Sequence, residues 1–182
     1  MKITKTPIDG LIIIEPMVFN DDRGYFLESY NKEKLEDDLP QINFIQDNES
    51  KSTKGVLRGL HFQKPPFEQC KLVRCIQGEV LDVAVDLRKG SSTYGKHKSI
   101  ILSGDNKKQF FIPKGFAHGF IVLSETAIFA YKVDNLYAPE YDSGIIWSDP
   151  ELKIDWKLNP DELIISDKDK NLKTLANTEI PF

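Results

Sequence analysis

The feature that most constrains this chain is a strict alternation over Glu79–Arg88. There Leu81, Val83, Val85 and Leu87 take turns with Asp82, Ala84, Asp86 and Arg88. Side chains of a β-strand point to opposite faces with period two, so the pattern predicts a half-buried strand with its aliphatic face on a core. Comparable short runs recur at Leu11–Ile14, Tyr25–Tyr30, Val56–Phe62, Lys71–Ile76, Ser99–Leu102, Gln109–Ile112, Phe120–Leu123 and Ile128–Val133. Turn residues separate them, at Gln77-Gly78, Lys89-Gly90-Ser91, Gly104-Asp105-Asn106 and Pro113-Lys114-Gly115. Helical signals are sparse. Asn31–Leu39 carries a capping Asn31, an acidic first turn at Glu33 and a stop at Pro40, and the tail after Asn159 has room for one or two short turns. About ten strands at regular spacing, with no repeat, low-complexity tract or linker between them, predict one all-β domain of sandwich or jelly-roll type.

Composition narrows the function. A chain of 182 residues that is 40% hydrophobic and 29% charged can fill one real core, and it is neither disordered nor disulfide-stapled in composition. A formal net charge of −4 offers no basic field for a general nucleic-acid binder, although an anionic small molecule needs only a few local Arg and Lys. The longest apolar run near the start, Leu11–Ile14, is too short for a signal-peptide core or a membrane span. Cys70 and Cys75 lie five apart in a predicted strand, which sets them on opposite faces and argues against a local disulfide. They also lack CxxC spacing. The expectation is a cytoplasmic protein.

Three histidines are present, His61, His97 and His118. His118 follows the tight turn in Pro113-Lys-Gly-Phe-Ala-His118-Gly, which aims its imidazole into the mouth of a barrel. This stretch resembles the second motif of the cupin superfamily, whose barrels often hold a metal. The first cupin motif needs His-x-His, whereas this chain has His61-Phe62-Gln63, so an amide replaces the second ligand. With His97 in a solvated-looking Lys-His-Lys context, a three-His site does not assemble, and a facial triad of His61, His118 and a carboxylate stays open. The reading is a cupin-type barrel that has lost its metal.

Other polar groups converge nearby. Arg58-Gly-Leu-His61 puts a guanidinium and an imidazole in one strand, on opposite faces if the strand is regular. For both to serve one site, the strand must be irregular near Gly59. Lys71 shares a face with Val73 and Cys75, and Tyr131 shares one with Phe129 and Val133. Each has a structural reading of its own: Tyr131 as core, Lys71 as a solvated strand end, His118 as a satisfied core histidine, Arg58 as a partner for Glu79 or Asp82. Only the combination on neighbouring strands points to a functional site.

A longer, co-linear set of segments carries a resemblance. Asp22–Glu28, Phe44–Asn48, Arg58–Gln63, Lys71–Cys75, Gly78–Arg88, Ile112–Phe120 and Tyr137–Glu140, followed by the Ser166–Asp169 tail, together resemble the dTDP-4-dehydrorhamnose 3,5-epimerase family. The resemblance implies a metal-free, cofactor-free jelly-roll homodimer acting on a thymidine-diphosphate 4-keto-6-deoxy sugar in L-rhamnose synthesis. It implies that protons α to the C4 ketone leave C3 and C5 and return to the opposite faces. In that scheme His61 is the base, Tyr131 the acid, Lys71 the cation at O4, and Asp169 (with Asp167 as a near alternative) the carboxylate orienting the base. Arg58, His118, Gln46, Asn48 and Lys168 contact diphosphate and sugar. Arg23 and Glu28 reach the nucleotide from the partner subunit. Asp142 stands where the family commonly has Glu. An N-terminal arm, about residues 1–40, contributes to the dimer, and about residues 150–182 pack by the site. The competing readings are an epimerase for one centre only, a non-catalytic sugar-nucleotide binding cupin, and a metal-dependent cupin oxygenase.

Overall fold

The period-two runs become strands of two six-stranded sheets stacked face to face. The computed structural model describes residues 1–39 and 42–182, so the helix stop read at Pro40 lies outside the described residues. In chain order the strands are β1 (Lys2–Lys5), β2 (Ile12–Glu15), β3 (Val18–Asp21), β4 (Gly24–Leu27), β5 (Gln46–Thr53), β6 (Val56–Gln63) and β7 (Lys71–Gln77). They continue as β8 (Glu79–Asp86), β9 (His97–Ser103), β10 (Gln109–Ile112), β11 (Phe116–Val122), β12 (Thr126–Val133), β13 (Asp142–Gly144) and β14 (Ile164–Ile165). Two one-turn helices, α1 (Lys32–Leu35) and α2 (Asp167–Lys170), complete the outline. The first sheet runs β1-β2-β10-β7-β12-β5; the second runs β13-β6-β11-β8-β9, with β14 added parallel to β6. A separate hairpin, β3-β4, stands off both. This is an all-β jelly roll.

Why the sheets stack is visible in their facing residues. Val73, Cys75, Phe110 and Phe129 of the first sheet pack against Val80, Ala84, Phe116 and Phe120 of the second. The outer face of the second sheet is covered in turn, with Leu81, Val83, Val85 and Leu87 meeting Ile145, Leu152, Trp156 and Ile180 of the C-terminal region. Strand β8 is therefore buried on both faces, with only Glu79 exposed, and not half-buried as its alternation predicts. The aliphatic face does meet a core. The polar face, carrying Asp82 and Asp86, meets the interior instead of water because the first sheet lies over it.

Several strands carried no apolar pattern. Edge strand β5 reads Gln-Asp-Asn-Glu-Ser-Lys-Ser-Thr and pairs only with β12, so its stability comes from one hydrogen-bonded ladder and not from a buried face. The expected helix over Asn31–Leu39 shrinks to α1, although Asn31 caps it, its side chain accepting from the Lys34 amide at 3.2 Å. Cys70 and Cys75 are both free and buried, in different core clusters.

Next to His61, strand β6 is irregular. His118 pairs with His61 and Phe120 with Arg58, so Gly59 and Leu60 together face the single residue Gly119 of β11. This bulge cancels the parity that would send Arg58 and His61 to opposite faces. Gly59 sits at φ +125°, and a Cβ there would fall 2.5 Å from the Cα of Gly119. A Cβ on Gly119 would fall 2.7 Å from the Arg58 carbonyl oxygen. Neither position accepts a side chain without moving backbone.

Candidate active site

Between the sheets lies a cavity of about 610 Å³, lined by Arg58, His61, Lys71, His118, Tyr131 and Asp169 and walled by Phe120 and Phe129. It opens into an adjoining polar mouth where Gln46, Asn48, Tyr137, Asp142 and Lys168 gather. The two phenyl rings stack with centroids 4.2 Å apart, giving the cavity a flat apolar floor.

His61 reaches in from β6. Its Nε2 lies 2.7 Å from Asp169 Oδ1, so the ring donates there and Nδ1 keeps the lone pair. Asp169 comes from α2, where Ser166 caps the helix by accepting from the Asp169 amide at 3.1 Å. The second oxygen, Oδ2, accepts from the Gly59 amide at 3.2 Å, tying the carboxylate to the bulge. Burial works to raise the Asp169 pKa, but the bonds to His61, Gly59 and Ser166 hold it below the ordinary carboxylate value. The alternative, Asp167, turns to solvent with its side chain 96% exposed, 3.6 Å from Lys170.

Tyr131 enters from β12, on the sheet opposite His61. Burial pushes its phenol upward, and the positive Arg58 partly offsets that. Lys71, at the start of β7, is half-buried, and among the described residues its ammonium has no ion-pair partner. Burial lowers it to about 8, against the raising influence of Asp82 and Asp142. His118 is buried, with Nε2 2.9 Å from Asp82 Oδ2. Desolvation lowers its pKa more than Asp82 raises it.

At the mouth, Gln46 donates to the Asn48 side chain at 2.8 Å. Asp142 accepts from the Tyr137 hydroxyl at 3.1 Å and from the Lys168 ammonium. Arg58 donates to Ser52 at 3.2 Å and pairs with neither Glu79 nor Asp82. Arg23 and Glu28 do not line the cavity of their own chain. Arg23 is exposed against Asp21 at 2.6 Å, and Glu28 pairs with Lys34 at 2.8 Å.

Gln63, the amide in the cupin ligand position, is a loop tie. Its Nε2 donates to the Phe67 and Leu136 carbonyls, and its Oε1 accepts from the Ala138 amide at 2.6 Å. His97 is half-buried instead of solvated, and that burial lowers its pKa. Among the described residues no three His, Cys, Asp or Glu side chains gather into a metal-ligating group. Sequence reasoning passed over Tyr137 at the mouth and Asp82 behind it. Asp82 entered only as a possible partner for Arg58 and through its place in the β8 alternation, where it reads as the wet side.

Comparison with known proteins decides the family. The model of the dTDP-4-dehydrorhamnose 3,5-epimerase family matches residues 5–177. The chain belongs to that family. It is 54% identical over 180 residues to the dTDP-4-dehydrorhamnose 3,5-epimerase of Methanothermobacter thermautotrophicus, covering 98% of this chain and 97% of that one. The crystal structure of the Elizabethkingia anophelis enzyme of that name superposes with a TM-score of 0.93 at 52% identity, covering 97% of each chain. A Legionella pneumophila dTDP-6-deoxy-D-glucose-3,5-epimerase, solved with dTDP-4-keto-L-rhamnose, gives 0.94 at 50% identity, covering 98% of this chain and 94% of that one. Family membership makes the chain an isomerase, as the co-linear motifs imply. No helix of the described residues is long and apolar enough to cross a membrane.

Proposed function

We propose that this chain converts dTDP-4-dehydro-6-deoxy-D-glucose to dTDP-4-dehydro-L-rhamnose, inverting C3 and C5 in dTDP-L-rhamnose synthesis. The observation that carries this reading is an imidazole on one sheet, paired with a carboxylate from α2, facing a phenol on the other sheet: His61 with Asp169 against Tyr131. A hexose ring lying between the sheets presents one face to each. Inversion of a carbon needs a base on one face and an acid on the other.

His61 Nδ1 takes the proton from C5, and Asp169 stabilises the imidazolium that forms. The electron pair passes to O4, where the charged Lys71 faces the developing enolate. Tyr131 returns a proton to C5 from the opposite side, leaving a phenolate beside the Arg58 cation. Proton exchange with solvent resets both groups, and the same cycle runs at C3. Gln46, Asn48, Arg58, His118 and Lys168 hold diphosphate and sugar. Asp142, one methylene shorter than the glutamate common in the family, is assigned to the same end of the site by its contacts with Lys168 and Tyr137.

The same reading makes the chain a cytoplasmic homodimer. The N-terminal arm, about residues 1–40, is proposed to contribute to the dimer through its β3-β4 hairpin, which exposes Phe19, Tyr25 and Phe26 and pairs with neither sheet. Arg23 and Glu28, on and beside that hairpin, serve the partner's nucleotide. About residues 150–182 pack by the site and deliver Asp169.

Incubation with the 4-keto sugar in deuterium oxide, read by proton NMR, tests the whole scheme. The expected result is deuterium at both C3 and C5 with inverted configuration. Label at one carbon only supports a single-centre epimerase, and binding with no label sinks the catalytic reading.

A further inference from the structure

The proton-transfer scheme leaves one buried charge unused. Asp82 on β8 is fully buried and lies behind the cavity lining. Oδ2 is bonded to His118, whereas Oδ1 is buried with no hydrogen-bond partner among the described residues. A bare carboxylate oxygen in an apolar layer is costly unless a cation answers it.

The fold puts one within range. Val80 and Ala84, which flank Asp82 on its own face, pack in the same cluster as Val73, which follows Lys71 on its face. Asp82 from the second sheet and Lys71 from the first thus border one layer, close enough for the carboxylate to act on the lysine's charge though not in direct ion-pair contact. The other titratable groups around Lys71 are Arg58 and His61 on β6, His118 on β11, Tyr131 on β12, Asp142 on β13, Lys168 and Asp169 on α2, and Tyr137. Of the carboxylates there, Asp169 is committed to His61 and Asp142 to Lys168 and Tyr137. Asp82 differs from both in that its spare oxygen is sealed from solvent, with no partner among the described residues.

We propose that Asp82 is a positioning residue whose carboxylate is the counter-ion that keeps the Lys71 ammonium charged and aimed at the enolate oxygen. Its other oxygen fixes the tautomer of His118. Asp82 touches no substrate atom and acts through Lys71. This inference rests on the epimerase reading above. Burial alone drives Lys71 toward its neutral form, which has no charge to offer an enolate, and the negative charge behind it opposes that drift.

The test is Asp82→Asn, close to isosteric but uncharged, assayed across pH with circular dichroism as the check on folding. Turnover is expected to fall roughly 10- to 100-fold with KM changed by less than about threefold, the signature of an interaction made in the transition state. The alkaline limb of kcat should move toward lower pH by about one unit, since loss of an anion beside a lysine lowers its pKa. In a Lys71→Met background the same change should cost less than about twofold, because the charge has no lysine left to act on and the Asn oxygen can still accept from His118. An unshifted alkaline limb, or an equal loss in both backgrounds, overturns the proposal. Should Asp82→Asn fail to fold, Asp82→Ser keeps an acceptor for His118 without the charge and carries the same expectations. Failure of both to fold assigns the carboxylate to structure and overturns the proposal too. Wild-type deuterium incorporation, run alongside, separates the two ideas. No label in the wild type removes the epimerase reading, whereas normal label with an unaffected Asp82→Asn removes only the role of Asp82.

Discussion

Replacing Asp169 with Asn isolates what the carboxylate does for His61. The amide fills the same space, the Gly59 amide keeps an oxygen acceptor, and the Ser166 cap is untouched because it binds the backbone of residue 169. What is lost is the 2.7 Å charge-assisted bond to His61 Nε2, which matters most when the ring carries the proton taken from carbon. A hydrogen bond to a charged group contributes about 1.5–3 kcal/mol, which converts to a roughly 10- to 150-fold fall in kcat. KM should stay within about threefold, since the carboxylate is committed to His61 and the Gly59 amide. The assay is turnover of the 4-keto sugar followed by proton NMR in deuterium oxide, with urea unfolding to confirm a stable fold. A well-folded Asp169→Asn with turnover within twofold of wild type would refute the pairing argument. So would a rise in KM at unchanged kcat.

Tyr131→Phe separates the two halves of the reaction. His61 still removes protons, so solvent deuterium should enter the unreacted substrate with retained configuration, while inverted product falls by orders of magnitude. Unchanged product formation in NMR removes Tyr131 as the acid. A different carboxylate governs acid stability. Burial works to raise Asp86, but Arg88 at 2.8 Å and the Ser91 and Thr93 hydroxyls at 2.6 Å hold it at about 2, below its ordinary 3.8. A depressed folded-state carboxyl stabilises the protein above its unfolded pKa and loses that contribution as pH falls toward the folded value. The difference is roughly 2 kcal/mol, present at pH 7 and gone near pH 2. Asp86→Asn should therefore unfold at lower urea than wild type at pH 7, with the gap closing toward pH 2. A gap of equal size at both pH values contradicts the linkage.

The strands that sequence made legible are those with a buried face. Lys71–Gln77 and Gln109–Ile112 matched their runs within a residue because aliphatic and aromatic side chains marked them. Strand β5 did not announce itself, since a polar edge strand held by one neighbour has no hydrophobic period to show. Within the site, Lys71 and Tyr131 were visible as polar residues on apolar faces, a local signal. Asp169 was visible only through family resemblance, because it meets a histidine 108 residues away and nothing in its own neighbourhood points there. Asp82 was misread for a physical reason: alternation reports which face is less apolar, and an enclosed polar pocket gives the same pattern as solvent. The irregularity demanded at Gly59 was a correct deduction from parity, but its partner, Gly119, emerged only from the pairing of β6 with β11.

The long separation between His61 and Asp169 sets a timetable. At ribosomal speeds of about 5–20 residues per second, the base is synthesised roughly 5–20 s before the carboxylate that completes it. During that interval the second sheet also lacks the C-terminal residues that cover its outer aliphatic face. Chemical competence and concealment of that greasy surface thus arrive with the same stretch of chain. A nascent molecule still sticky enough to need a chaperone is one that does not yet handle protons.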